Sequence, residues 1–259
     1  MEIKFVKQRF SKGFSIVELM VAILIGLIIL AGVIQVVITS KSTFVGQEEM
    51  SFIQENARYS VDLISKDIQS AGYWGCAGSN ARTALVARNT AAPELLSTEP
   101  VGGYDGTSYD SMPDYLKTRI RAVTLPDGTT AYPDVLMVRG AEGVMAGIQT
   151  HDGSTITTEI AHNLKDNSYF VVIGEDCRRL SIVKAATASA NQIVYGASGN
   201  CSTAIKPSLL KKTFDCTEAY EAYLSGATVM EYGAKAYFVG ESSAVSGFPA
   251  LKRLVFTAS

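Results

Sequence analysis

The residue most in need of a chemical partner is Glu18. It stands in the run KGFSIVELMVAILIGLIILAGV, Lys12–Val33, and is the only charge between Phe14 and Ile38, a stretch of 25 residues. A carboxylate costs about 2.5–3.5 kcal/mol at the centre of a membrane helix and less near an end. Glu18 is near an end, so a tolerated interfacial acid is the plain reading. A cut between Gly13 and Phe14 gives it a purpose. The new amine at Phe14 is a cation four residues from Glu18, one helical turn away on the same face. The positive end of the helix dipole also favours an acid there. Glu18 then pairs with its own N-terminus or that of a neighbouring helix. In a bundle, such a pair fixes axial register as a buried polar residue does in a coiled coil.

Other reactive residues form no catalytic or metal-binding pattern. Cys76, Cys177, Cys201 and Cys216 include no C-x-x-C pair, and His151 and His162 are the only histidines. Zinc sites need close ligand pairs, so no metal is expected. An even cysteine count beyond a membrane segment fits disulfides in an oxidising compartment. Four cysteines allow three pairings. The preferred set joins Cys76 to Cys177, tying the helix end to the sheet, and Cys201 to Cys216 across a polar stretch. Ser181–Lys184 and Ser208–Lys211 both match S-x-x-K, but no S-D-N or K-T-G accompanies them. His151 beside Asp152 reads as a turn, and His162 beside Asn163 likewise. The acid pairs Glu48-Glu49 and Glu175-Asp176 read as solvated faces. No G-x-S-x-G, P-loop or H-E-x-x-H occurs. The chain is expected to be no enzyme and to need no cofactor.

The elements that would position Glu18 follow from composition and periodicity. The net charge is -2 over 259 residues, with no basic cluster beyond the N-terminus. That argues against nucleic acid as a partner. Residues 1–13, MEIKFVKQRFSKG, are basic. The following apolar run is longer than a secretory signal core and lacks an A-x-A site. As a helix, residues 14–38 rise about 37 Å, enough for a bilayer core of about 30 Å. The basic flank is expected in the cytoplasm and the remainder in the periplasm. Beyond Thr39, Met50, Ile53, Ala57, Val61, Ile64, Ile68 and Ala71 recur at intervals of three and four, an apolar stripe for a globular domain to cover. Gly72 is the stop signal.

Residues 72–133, with Pro93, Pro100, Pro113 and Pro126, read as a loop-rich connection. It contains a short element at Tyr115–Val123 and a turn at Leu125–Gly128. Short β-rich runs follow at Val135–Gly140, Thr155–Ile160, Tyr169–Ile173, Leu180–Ala185, Gln192–Tyr195, Thr228–Tyr232, Ala236–Val239 and Leu251–Thr257. His151-Asp152-Gly153-Ser154 supplies a turn before the second. Consecutive short strands imply an antiparallel sheet, so the fold class is α+β. A long N-terminal helix, transmembrane in its first half, packs on that sheet.

The stretch G-F-S-I-V-E-L-M-V-A-I resembles the class III signal of type IV pilins and pseudopilins, over Lys12 to about Gly32. The resemblance implies cleavage after Gly13 by a prepilin peptidase and N-methylation of Phe14. It also implies that Glu18 pairs with an adjacent subunit's N-terminus during assembly. Loss of the leader leaves 19 basic and 24 acidic residues. The implied plan is a leader at 1–13, a transmembrane and assembly half-helix at 14–38, an amphipathic half at 39–71, the connection at 72–133 and a β-rich globular domain at 134–259. AGYWGC at Ala71–Cys76, DVLMVRGA at Asp134–Ala141 and EDCRRLSIVKA at Glu175–Ala185 resemble the PilW family of minor pilins. That family continues past an L-x-R strand, here Leu251–Arg253, into a further segment.

The implied function is a minor pilin that helps initiate type IV pilus assembly and sits in or at the tip of the filament. It would first be a single-pass inner-membrane protein, then part of a surface pilus. Its implied partners are minor and major pilins through the N-terminal helix, the prepilin peptidase, the inner-membrane assembly platform and a tip adhesin. The alternatives are a type II secretion pseudopilin and a membrane-anchored periplasmic binding module.

Overall fold

The computed structural model describes residues 13, 15–78, 81–88, 95–124, 127–196, 199–203, 205–208, 222–244 and 247–256. The leader up to Lys12, Phe14, Pro93, Leu125, Pro126, Lys211, Cys216 and Thr257 lie outside the described residues. The chain divides into two compact units, Met1–Asp62 and Leu63–Ser259.

The first unit is helical. Helix α1 spans Ile16–Ser70, and its residues up to Asp62 belong here. From Ile16 to Ile38 its apolar side chains are exposed all round its circumference. A helix apolar on every side requires an apolar environment, and α1 is long and apolar enough to cross a membrane. The polar stretch after Ile38 remains helical, and its polar side chains bond back to carbonyls one turn earlier instead of ending the helix. Thr39 donates to Gln35 O, Thr43 to Thr39 O and Asn56 to Phe52 O, at 2.8–2.9 Å.

In the second unit, the last turns of α1 bring half-buried Leu63, Ile64, Ser65 and Asp67. The helix stops at Ser70, where Gly72 takes a φ of +71°, the left-handed conformation favoured just past a helix end. Gly72 N donates to Arg139 O (2.9 Å), and Ala141 N donates to Tyr73 O (2.7 Å).

The unit is built on a ten-stranded sheet, mostly antiparallel. Its strands are β1 (Arg82–Leu85), β2 (Val101–Tyr104), β5 (Val135–Asp152), β6 (Thr155–Thr158), β7 (Tyr169–Ile173), β8 (Arg179–Lys184), β9 (Thr187–Ser189), β10 (Gln192–Val194), β11 (Thr228–Glu241) and β12 (Pro249–Phe256). Strands β3 (Val123–Thr124) and β4 (Thr130–Ala131) form a separate pair. The order is β1-β8-β7-β11-β5-β6-β10-β9; β12 pairs with β11, and β2 with β5. The expected runs Thr228–Tyr232 and Ala236–Val239 are two parts of β11. That strand pairs with β5 on one side, and with β7 and then β12 on the other. Gly153 and Ser154 turn the chain between β5 and β6.

Both faces of the central strands are buried. Phe170, Val172, Val183 and Val229 enter one core. Their neighbours Val171, Ile173, Leu180, Ile182 and Met230 enter another with Trp74, Ala77 and Leu96. Further along β11, Ala236 and Phe238 meet Leu95, Met112 and Leu116. Residues 72–133 thus cover part of a sheet face, through a 3-10 helix at Gly106–Ser111 and helix α2 at Asp114–Lys117. Their loop-rich composition conceals these anchoring residues.

Candidate functional site

Gly13 is exposed and precedes α1, and a Cβ built on it meets nothing within 4 Å. Glu18 is an exposed acid in the first turn of α1, where Leu19 N donates to Ser15 O (3.1 Å). The four orphan N–H groups of that helix start lie beside the acid. Glu18 therefore sits in a favourable helix field on a segment whose other residues to Ile38 carry no charge.

A second polar site lies where α1 ends. The Asp67 carboxylate accepts from Lys235 Nζ at 3.0 Å and from the Tyr237 hydroxyl, and Arg253 lies 3.8 Å away. Lys235 also reaches Glu142 at 2.7 Å. Burial by itself raises the Asp67 pKa. The Tyr237 and Lys235 hydrogen bonds outweigh it, with the Lys235 and Arg253 charges, and hold the carboxyl below its ordinary value. Sequence reasoning missed this cluster, because Asp67 and Tyr237 are 170 positions apart. One local signal existed: an acid close to a helix C-terminus with no base in the last turn opposes the helix dipole.

A disulfide joins Cys76 to Cys177, with an S–S distance of 2.04 Å, across 101 positions. Cys201 is also disulfide-bonded; its expected partner, Cys216, lies outside the described residues. Beside Cys177, Asp176 pairs with Arg179 at 2.7 Å, and Glu175 pairs with Lys206 at 2.8 Å. These two acids hold cations at the β7–β8 turn rather than lying on a free solvated face.

His151 lies in strand β5 rather than in the expected turn, and both it and Ser181 have structural roles. Tyr223 N donates to His151 Nδ1 at 2.8 Å, leaving Nε2–H to donate to the Tyr195 hydroxyl at 2.6 Å. Burial, with the nearby Lys206 charge, pushes His151 down to about 4, so the ring is neutral. Ser181 is buried and bonds to Ile205 O and the Tyr223 hydroxyl. Lys184 is three positions along the same strand and so faces the opposite side. That S-x-x-K pair cannot act together. Among the described residues, no group of three or more His, Cys, Asp or Glu could hold a metal ion.

Residues 8–34 match the family model described as the prokaryotic N-terminal methylation motif. A comparison with curated proteins finds no match. The matched residues include Gly13, Phe14 and Glu18 and most of the apolar run. The chain thus carries the N-terminus of a type IV pilin-like or pseudopilin-like protein, and this N-terminus followed by a mostly antiparallel sheet domain is a pilin-like arrangement. A motif of this kind points to a structural subunit that works with pilus-type machinery and is anchored in a membrane.

Proposed function

We propose that this chain is a minor pilin resembling the PilW family, made as a single-pass inner-membrane precursor with its β-rich domain in the periplasm. A prepilin peptidase cuts after Gly13 and methylates Phe14. The subunit then joins other pilins through α1, helps start the filament and remains in it or at its tip. The carrying observation is the methylation-motif match over residues 8–34, with Glu18 alone in a run otherwise free of charge. The cut removes the four basic residues of the leader and exposes one amine. Glu18 provides the counter-charge for that amine, or for its equivalent on a neighbouring helix. The inner-membrane assembly platform and a tip adhesin are further partners under this reading.

The test is intact mass and N-terminal sequence of the chain from cells with and without prepilin peptidase. The expected result is N-methyl-Phe14 as first residue only when the peptidase is present. A chain starting at Met1 in both cell types overturns the proposal. Replacing Glu18 with Ala should leave processing intact and remove the chain from sheared filaments.

A further inference from the structure

Among the described residues, strand β12 pairs only with β11 and leaves its other hydrogen-bonding edge unpaired. Ser242 N donates to Phe248 O, and the register then runs from Glu241↔Pro249 to Ala234↔Phe256. Hydrogen-bonded and non-bonded pairs alternate along an antiparallel ladder. Ala250, Lys252, Leu254 and Phe256 therefore turn their backbone groups toward β11. Pro249, Leu251, Arg253 and Val255 turn theirs outward. Pro249, which has no N–H to offer, fits this parity. The outward row presents the N–H groups of Leu251, Arg253 and Val255, and none of them has a backbone partner among the described residues.

The other edges of this sheet are short. Strands β1 and β2 have four residues each and β9 has three, whereas β12 has eight. Short edges are a common protection against stray pairing. Two basic side chains stand in β12: Lys252, and Arg253, which lies 3.8 Å from Asp67 with its side chain 40% exposed. The same four outward residues have exposed side chains, with Leu251 at 45% and Val255 at 39%.

We infer that the outer edge of β12 takes up an extended, acid-bearing segment of a different filament subunit as an added strand. Backbone bonds to Leu251, Arg253 and Val255 supply affinity, as in other strand-addition complexes. Side-chain chemistry selects the partner. Near-complete antiparallel pairing of two β12 strands that keeps each face in place sets Lys252 on Lys252 or Arg253 on Arg253, and like charges directly opposed disfavour such pairs. An acid at that position makes the pair favourable. The choice of a filament subunit rests on the function proposed above; the open edge does not.

The first test is residue-resolved hydrogen exchange on the full chain in detergent micelles. The probe is a short alternating threonine–valine peptide with one central aspartate. In the free chain, the amides of Leu251, Arg253 and Val255 should exchange fast and those of Lys252 and Leu254 slowly. The peptide should slow the first set about tenfold when nine-tenths of the edges are occupied, and a lysine-centred peptide should bind severalfold more weakly. Leu251→Pro, and separately Val255→Pro, each remove one outward donor and should abolish the protection while leaving Trp74 fluorescence native. Three outcomes overturn the inference: slow exchange of the outward set in the free chain, no slowing by the peptide, or slowing that survives both proline variants. A photoreactive residue at position 255 in assembling cells identifies the partner. Attachment to an acidic extended segment of another subunit supports the assignment, and attachment to a second copy of β12 overturns it. If the chain is absent from filaments, the partner and the filament reading fail together, while the exchange experiment still decides the edge.

Discussion

Replacing Asp67 with Asn should loosen the attachment of the last turns of α1 to the sheet. The carboxylate accepts two charge-assisted hydrogen bonds, from Lys235 and Tyr237, and its side chain is only 13% exposed. Bonds of this kind contribute about 1.5–3 kcal/mol each. Lys235 keeps Glu142 at 2.7 Å, which offsets part of its loss. An amide can still face the tyrosine hydroxyl. The expected cost is therefore about 2–3 kcal/mol, below the sum of two intact bonds. Trp74 is the only tryptophan and stacks on Tyr232 at 6.0 Å. Its fluorescence reports urea unfolding of the second unit. With a slope of about 2–3 kcal/mol per molar urea, the midpoint should fall by about 1 M.

The pH dependence gives an independent check. The folded Asp67 pKa lies below its ordinary value of 3.8. Its contribution is thus fully present above about pH 5 and is lost as pH falls through 3.8 to the folded value. Wild type and Asp67→Asn should differ most near neutral pH and converge in strong acid. Tyr237→Phe supplies a double-mutant cycle, with an expected coupling of about 0.5–3 kcal/mol. A midpoint shift under about 0.2 M, or additive single variants, would refute the account of this junction.

Other expectations follow from the interior of the second unit. His151 has a folded pKa pushed down from 6.5 to about 4. Its neutral form stabilises the fold above pH 6.5, and that stability should drain between pH 6.5 and 4; His151→Gln should flatten this part of a urea-midpoint series. Removing the Cys76–Cys177 bond with paired serines reopens a 101-position loop, and the cost should be about 4.7 kcal/mol in the chain-entropy picture, read by thermal unfolding. Gly106→Ala places a Cβ 1.7 Å from Tyr132 O. The 3-10 helix must then shift, at a cost of about 1–3 kcal/mol, seen as a lower melting temperature with the disulfide intact.

The parts of this protein that were legible in the sequence are those encoded over one or two turns. The charge-free run around Glu18 signals the apolar helix, and Gly72 marks its end. Tyr169–Ile173 shows itself as a strand because β-branched and aromatic residues stand between turn signals. β11 was harder. Gly233 and Ala234 interrupt its apolar run, so the pattern predicts two short strands where the chain makes one of 14 residues. Small residues there serve close approach: a Cβ on Gly233 would come within 2.5 Å of the Glu142 side chain. The parallel pairing of β1 with β8 was equally hidden, since nothing in RTAL distinguishes a strand from the loops around it.

The same division separates the candidate sites. Gly13, Phe14 and Glu18 can be read together because one helical turn links them. Asp67, Lys235, Tyr237 and Arg253 are ordinary charged and aromatic residues until the sheet is folded. β11 brings Lys235 and Tyr237 to one face by period-two alternation, and the register Tyr237↔Arg253 adds the fourth member from β12. The pairing of β11 with β12 completes the cluster, and that pairing also fixes which backbone groups of β12 point outward. A one-residue slip would turn Arg253 away from Asp67 and reverse the open edge at once. Arg253→Ala should therefore leave the exchange pattern of β12 unchanged, because the register is held along the whole strand pair. Deleting one residue within β12 should reverse the pattern, moving fast exchange onto residues that are protected in the native chain.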